Sequence, residues 1–149
     1  MKPTKIFLAS DHAGFALKEK IKNHLAKKNV PFSDLGAHDE EPSDYPDFIT
    51  PCAKKVVKTK DSLGIVLGGS GQGEAIAANR IKGIRAAVLY NYNEDIIKLS
   101  KEHNNANILS LGSRFLTEKE TMKAIDLWLK TKFSSAERHE RRIKKLDAK

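Results

Sequence analysis

The chain has one cysteine and one tryptophan in 149 residues, and no apolar run approaches the length of a bilayer crossing. Cys52 has no second thiol to join, which excludes an intramolecular disulfide and fits a reducing compartment. It follows Pro51 in a helical stretch and reads as a small buried hydrophobe without a catalytic role. The N-terminal residues MKPTKIFLAS run into a strand, without the apolar segment and small-residue cleavage site of a secretory signal. The expected location is the cytoplasm, with no membrane partner. Aromatic residues are scarce, at 7%, and none are interleaved with the lysines as a base-stacking platform requires. The net charge of +8 is therefore read as solvated helix faces, as in LKEKIKNHLAKK and AKKVVKTK, and no nucleic-acid partner is expected. A chain this long can bury a core without disulfide or metal staples, so residues 1–149 are read as one domain. Its densest basic segment, ERHERRIKKLDAK, falls in a C-terminal helix and tail over 134–149.

What is present is an alternation of strand and helix signals. KIFLAS is a short apolar strand that stops at Asp11-His12-Ala13-Gly14, and Leu17, Ile21 and Leu25 then recur at helical spacing. A second strand is predicted at about 30–35, followed by the acidic loop AHDEEPSDYPD and a helix from about Asp47 to Lys58. SLGIVLG, RAAVLY and NILSLG supply three more strands, with helices after each, the fifth being EKETMKAIDLWLKTKF. A last basic helix is predicted over about Ala136 to Lys145. Five apolar strands alternating with helices imply an α/β doubly wound, Rossmann-like sandwich with a five-stranded parallel sheet, helices on both faces and a C-terminal helix. Ligands in such folds sit beyond the carboxyl ends of the strands, which nominates Ser10 to His12, Gly68 to Glu74, Tyr90-Asn91 and Gly112 to Arg114.

The second of these loops, GGSGQGE within Gly68 to Glu74, matches neither common phosphate fingerprint. From Gly69 the last position of G-x-G-x-x-G is Glu74, and in the P-loop pattern Glu74 and Ala75 replace the lysine and the hydroxyl residue. The surviving physics is a nest of amides at a helix N-terminus, which favours negative charge and lets a substrate approach closely. A carboxylate in the first helical turn is favoured in its ionised form by the helix dipole and is ready to take a proton. A base beside an anion hole suits proton abstraction next to a carbonyl. Glu74 also suits a purely structural place at the helix N-terminus, and the loop by itself leaves both readings open.

SDHAGFALK, DYPDF, GGSGQGEAIAANR, SKEHNNANILSLGSR and RHERR, in this order over nearly the whole chain, resemble the ribose-5-phosphate isomerase B family. These sugar-phosphate isomerases include galactose-6-phosphate isomerase subunits. The resemblance implies interconversion of ribose 5-phosphate and ribulose 5-phosphate through a cis-enediolate, without metal or cofactor, by a homodimer or dimer of dimers. Some members carry the base as a cysteine at the position of Gly68; this chain has the other form, with Glu74. The resemblance makes Glu74 the group that moves the proton between C1 and C2. The amides of the Gly69, Ser70, Gly71 and Gly73 turn, with Asn104, would hold the enediolate, and the Ser70 hydroxyl would hold or relay substrate hydroxyls. His103 corresponds to the ring-opening histidine, with Asp11 assisting or binding sugar hydroxyls. Phosphate recognition falls to His12, Arg114, Arg138 and Arg142, joined by His139 and Tyr45. His24 and His38 are read as surface residues, and Arg80 and Arg85 receive no role.

His103 and Asn104 lie between the fourth helix and fifth strand, at the amino edge of the sheet, whereas the Glu74 loop leaves the carboxyl edge. An active site shared across a two-fold dimer, with the basic tail at the interface, is the expectation. Allose 6-phosphate or galactose 6-phosphate would suit the same proton shuttle. A non-catalytic nucleotide-binding stress-response module could use a similar scaffold.

Overall fold

The computed structural model describes residue 3 and residues 5–148, so Lys149 at the end of the basic tail lies outside the described residues. Its order is β1 (Ile6–Ser10), α1 (Phe15–Lys27), β2 (Phe32–Asp34), α2 (Tyr45–Lys58), β3 (Leu63–Gly68), α3 (Gln72–Asn79), β4 (Ala86–Leu89), α4 (Glu94–Glu102), β5 (Ile108–Gly112), α5 (Glu118–Lys130) and α6 (Glu137–Leu146). All the strand pairings are parallel, in the order β2-β1-β3-β5-β4. Alternation along β1 sorts its side chains to the two faces. Ile6 and Leu8 join Ile21, Leu25, Ile97 and Trp128 under α1, α4 and α5, while Phe7 and Ala9 join Ile49, Cys52, Val56 and Ala78 under α2 and α3. Helices therefore cover both faces, as a doubly wound sheet requires. Cys52 is fully buried and its thiol faces the Phe7 carbonyl at 3.7 Å, with burial pushing its pKa up to about 12.

Local chemistry sets the helix ends. Thr117 and Glu120 form a reciprocal capping box at the start of α5, and the Asn93 side chain accepts from the Ile96 N–H at the start of α4. The second helix starts at Tyr45, two residues before the predicted Asp47, because Pro46 fits a first turn whose N–H groups lack helical partners. The fifth ends at Lys130, short of Phe133, where Thr131 turns extended and its hydroxyl bonds back to the Leu127 carbonyl. His24 is tied down more than a surface reading implies: its Nε2 lies 2.7 Å from Asp126 Oδ1, joining α1 to α5. Lys18, fully buried, donates to Asp34 Oδ1 at 2.6 Å, and Lys22 donates to the other oxygen at 3.0 Å, which pins the end of β2.

From β1 the chain passes to β2 on one side and, later, to β3 on the other. Strands that diverge in this way leave a crevice at their carboxyl ends, here between the Asp11 and Gly68 turns.

Candidate active site at the carboxyl edge

Gly71 caps α3 in the left-handed conformation, φ 79°, which lets β3 turn sharply into the helix and aims the first amides of α3 at the crevice. The strand next door braces this turn. Ser110 Oγ donates to the Gly71 carbonyl at 2.6 Å, the Ser113 N–H donates to the Gly68 carbonyl at 2.8 Å, and the Arg114 N–H donates to the Gly69 carbonyl at 3.0 Å. Ser113 Oγ lies within reach of both the Gly68 and Ala13 carbonyls, at 2.7 and 3.0 Å, so it links this turn to the β1 turn. Ser70 Oγ accepts from the Gln72 N–H at 3.3 Å and is held at the helix N-terminus.

Glu74 is only 4% exposed, and its carboxylate lies against Gly68 in the space a β-carbon there would occupy. Asp11, 8% exposed, accepts the Gly14 N–H at 3.1 Å and comes within hydrogen-bonding reach of Glu74. Burial first, and then the neighbouring Asp11, raises the Glu74 pKa above its ordinary value, with Glu74's own backbone N–H opposing. This differs from the ionisation expected from the helix dipole alone. Burial and the neighbouring Asp11 charge both disfavour the ionised Glu74 carboxylate, and they outweigh the helix N-terminus. The consequence is a carboxylate more basic than a solvated one, suited to taking a proton from carbon.

His12 borders the same crevice. Its Nδ1 accepts from the Ser43 N–H at 3.2 Å, and its own backbone N–H donates to Ser43 Oγ at 3.1 Å. With Nδ1 so engaged, the neutral ring carries its proton on Nε2. Arg114 packs its guanidinium over Gly69, and the Tyr45 ring covers Gly73. Asp11, His12, Tyr45, Gly69 to Gly73, Glu74 and Arg114 thus line one crevice. Ser43, Ser110 and Ser113 support it as well. Of these three the sequence flagged only Ser113, through the Gly112 to Arg114 loop.

The remaining predicted residues gather at the opposite edge. His103 caps the C-terminus of α4, and its ring stacks on His139 of α6 with centroids 4.2 Å apart and planes inclined by 20°. His139 is buried, its Nε2 has no partner among the described residues, and burial followed by His103, Arg138 and Arg142 holds its pKa down. Arg138 and Arg142 are exposed and four residues apart on one face of α6. Asn104 is exposed beside His103. A five-residue strand such as β5 spans roughly 16 Å at about 3.3 Å per residue, so one chain does not bring His103 to Glu74.

A cavity of about 1340 Å³ also lies at this amino edge. Of its cations, Lys28, Lys60, Lys101 and Lys130 stand at or just beyond helix C-termini, where they balance the negative ends of the helix dipoles, and Arg85 and Lys132 complete the lining. Lys101 is buried between the Trp128 ring, 4.6 Å away, and the Ala106 carbonyl, and burial followed by Arg85 pulls its pKa down to about 8. The acid and amide chemistry lies in the other crevice. Among the described residues, no group of three or more His, Cys, Asp or Glu could hold a metal ion.

A model of the Ribose/Galactose Isomerase family matches residues 6–146. The chain belongs to this family. Ribose-5-phosphate isomerase B of Mycolicibacterium paratuberculosis is 43% identical over 140 residues, covering 93% of this chain and 87% of that protein. The crystal structure of a ribose 5-phosphate isomerase from Thermotoga maritima superposes with a TM-score of 0.91 at 44% identity, over 96% of this chain and 97% of that one. That of ribose-5-phosphate isomerase B from Mycoplasma genitalium, with bound ribulose-5-phosphate, has a TM-score of 0.88 at 42% identity, over 95% and 93% of the two chains. The doubly wound fold is common to these relatives.

Proposed function

We propose that this chain interconverts ribose 5-phosphate and ribulose 5-phosphate, with Glu74 as the base. The buried Glu74 carboxyl, seated on Gly68 beside Asp11 and below the amides of the α3 N-terminus, is the observation that carries the reading. Glu74 takes the proton from C2 of the open-chain aldose, and the electron pair moves through the C1–C2 bond onto O1. The amides of the Gly69 to Gly73 turn hold the resulting enediolate. Return of the proton to C1, with transfer of the O2 proton to O1, leaves the C2 ketone. Ser70 and Asp11 hold the sugar hydroxyls through these steps. No metal or cofactor is required, because the carboxylate and the amides supply both the base and the charge stabilisation.

The substrate phosphate is met by His12 and Arg114 from one subunit and by Arg138, Arg142 and His139 from its neighbour, with Tyr45 closing over the turn. Arginine's planar fork suits this contact. His103 and Asn104 of the neighbour reach the sugar next to this phosphate contact, since His103 stacks on His139, and His103 opens the furanose ring. The working unit is thus a homodimer, alone or paired into a tetramer, with 134–149 at the interface of an otherwise single domain. A metabolic enzyme of this kind belongs in the cytoplasm. No helix among the described residues is long and apolar enough to cross a membrane.

The test is conversion of ribose 5-phosphate in excess EDTA by the native protein and by Glu74→Gln, with allose and galactose 6-phosphates as comparison substrates. Native turnover should persist with EDTA, and Glu74→Gln should lower kcat by about 10²- to 10⁴-fold. Near-native kcat in Glu74→Gln would remove the carboxylate from the mechanism.

A further inference from the structure

Arg85, at the start of β4, is bonded almost entirely to the corner that presents His103. Its Nε donates to the carbonyls of Asn104 and Asn105, both at 3.0 Å, Nη2 donates to Asn105 at 2.9 Å, and Nη1 reaches the Gly83 carbonyl at 3.3 Å. Asn104 and Asn105 follow the His103 cap of α4 and Gly83 precedes β4, so these are loop carbonyls outside any helical ladder. The backbone stitches the same corner to the sheet: the Arg85 N–H donates to Asn107 Oδ1 at 2.8 Å, and the Arg85 carbonyl accepts the Asn107 N–H at 3.0 Å. Asn105 takes φ 45°, so the chain reverses here through a left-handed residue. From the other side, α6 closes the corner through the His139 ring, the Ser134 N–H on the Glu102 carbonyl at 3.1 Å, and Asp147, which accepts the Gly83 N–H at 3.0 Å.

We infer that Arg85 is a positioning residue for ring opening: its guanidinium fixes the Asn104 and Asn105 peptides and, through them, the bearing of the His103 imidazole toward the sugar bound by the neighbouring subunit. This rests on the ring-opening reading of His103 and extends it to a residue that touches no substrate. Only a planar fork serves both carbonyls together; a lysine keeps the charge but binds as a point donor. Misplacement of a catalytic group by about 1 Å can cost on the order of 10²-fold in rate.

The test compares two substrates. Ribose 5-phosphate is mostly a closed furanose and must be opened, whereas 4-deoxyribose 5-phosphate lacks the hydroxyl that closes the ring and remains acyclic. Arg85→Lys should lower kcat/KM on ribose 5-phosphate by about 10- to 10²-fold and on the acyclic substrate by a clearly smaller factor, because the Asn104 contact serves both substrates while His103 serves only the closed one. An equal loss on both substrates, or no loss on either, overturns the proposal. His103→Ala serves as the separate check: if it too fails to discriminate between the substrates, the ring-opening reading itself falls. If it discriminates and Arg85→Lys does not, only the place of Arg85 is lost. Should Arg85→Lys fold poorly by circular dichroism, Asn105→Gly decides the matter. It keeps the guanidinium, tolerates the left-handed φ and loosens the corner, and the same selective loss is expected.

Discussion

At the scale of single residues, the Asp11 and Glu74 carboxyls set the pH response. The Glu74 pKa is raised by burial and by Asp11, so the ionised base forms only as the pH climbs past the ordinary glutamate range. Turnover should fall on the acid side through that elevated pKa. Asp11→Asn removes the neighbouring negative charge and should move the acid limb of the kcat/KM profile to lower pH; a limb that stays put would separate the two carboxyls. The same shift has a stability sign. A raised folded-state pKa stabilises the fold below the unfolded value of about 4.3 and loses that contribution as pH rises through the folded pKa. Glu74→Gln should accordingly raise Tm at pH 7, and the gain should fade as the pH is lowered toward about 4.

At the scale of elements, the β3–α3 turn explains why this chain has glycine at 68. A β-carbon there would occupy the space of the Glu74 carboxylate, so a side chain at 68 and a seated carboxylate at 74 exclude one another. Gly68→Ala should therefore lower kcat by about 10²-fold through displacement of the base, measured beside an unchanged far-ultraviolet circular dichroism spectrum; native kcat would show that the carboxylate works from another position. Glu74 was legible because its turn is local: the seven residues Gly68 to Glu74 carry the glycine spacing, the left-handed cap and the start of the helix. The strand and helix alternation was legible for the same reason, its apolar periods being short. The supporting contacts were not, even for Ser113, whose loop the sequence did single out. Ser43 meets His12 from 31 residues away, Ser110 meets Gly71 from 39, and Ser113 meets Ala13 from 100. Arg85 likewise acquires its partners only when β4 lies beside β5, so nothing within its own segment distinguishes it from a solvated arginine.

At the scale of the molecule, the site residues divide between the two edges of one sheet, a strand's length apart. Mixing Glu74→Gln subunits with His103→Ala subunits should therefore restore activity. Random pairing makes half the dimers mixed, each with one intact crevice, so about a quarter of native turnover is expected. No recovery, once subunit exchange has been demonstrated, would place both residues in one chain's site. The crevice itself forms where β1 meets β3, a pairing that sets Leu8 beside Ile65 across more than fifty intervening residues, including β2 and all of α2. Closing so long a loop precedes any reward from the contacts it brings together. A partly folded chain can hold native helices and the β1–β2 pair without any catalytic turn, so isomerase activity on refolding returns only after this long-range pairing has formed and the subunits have met.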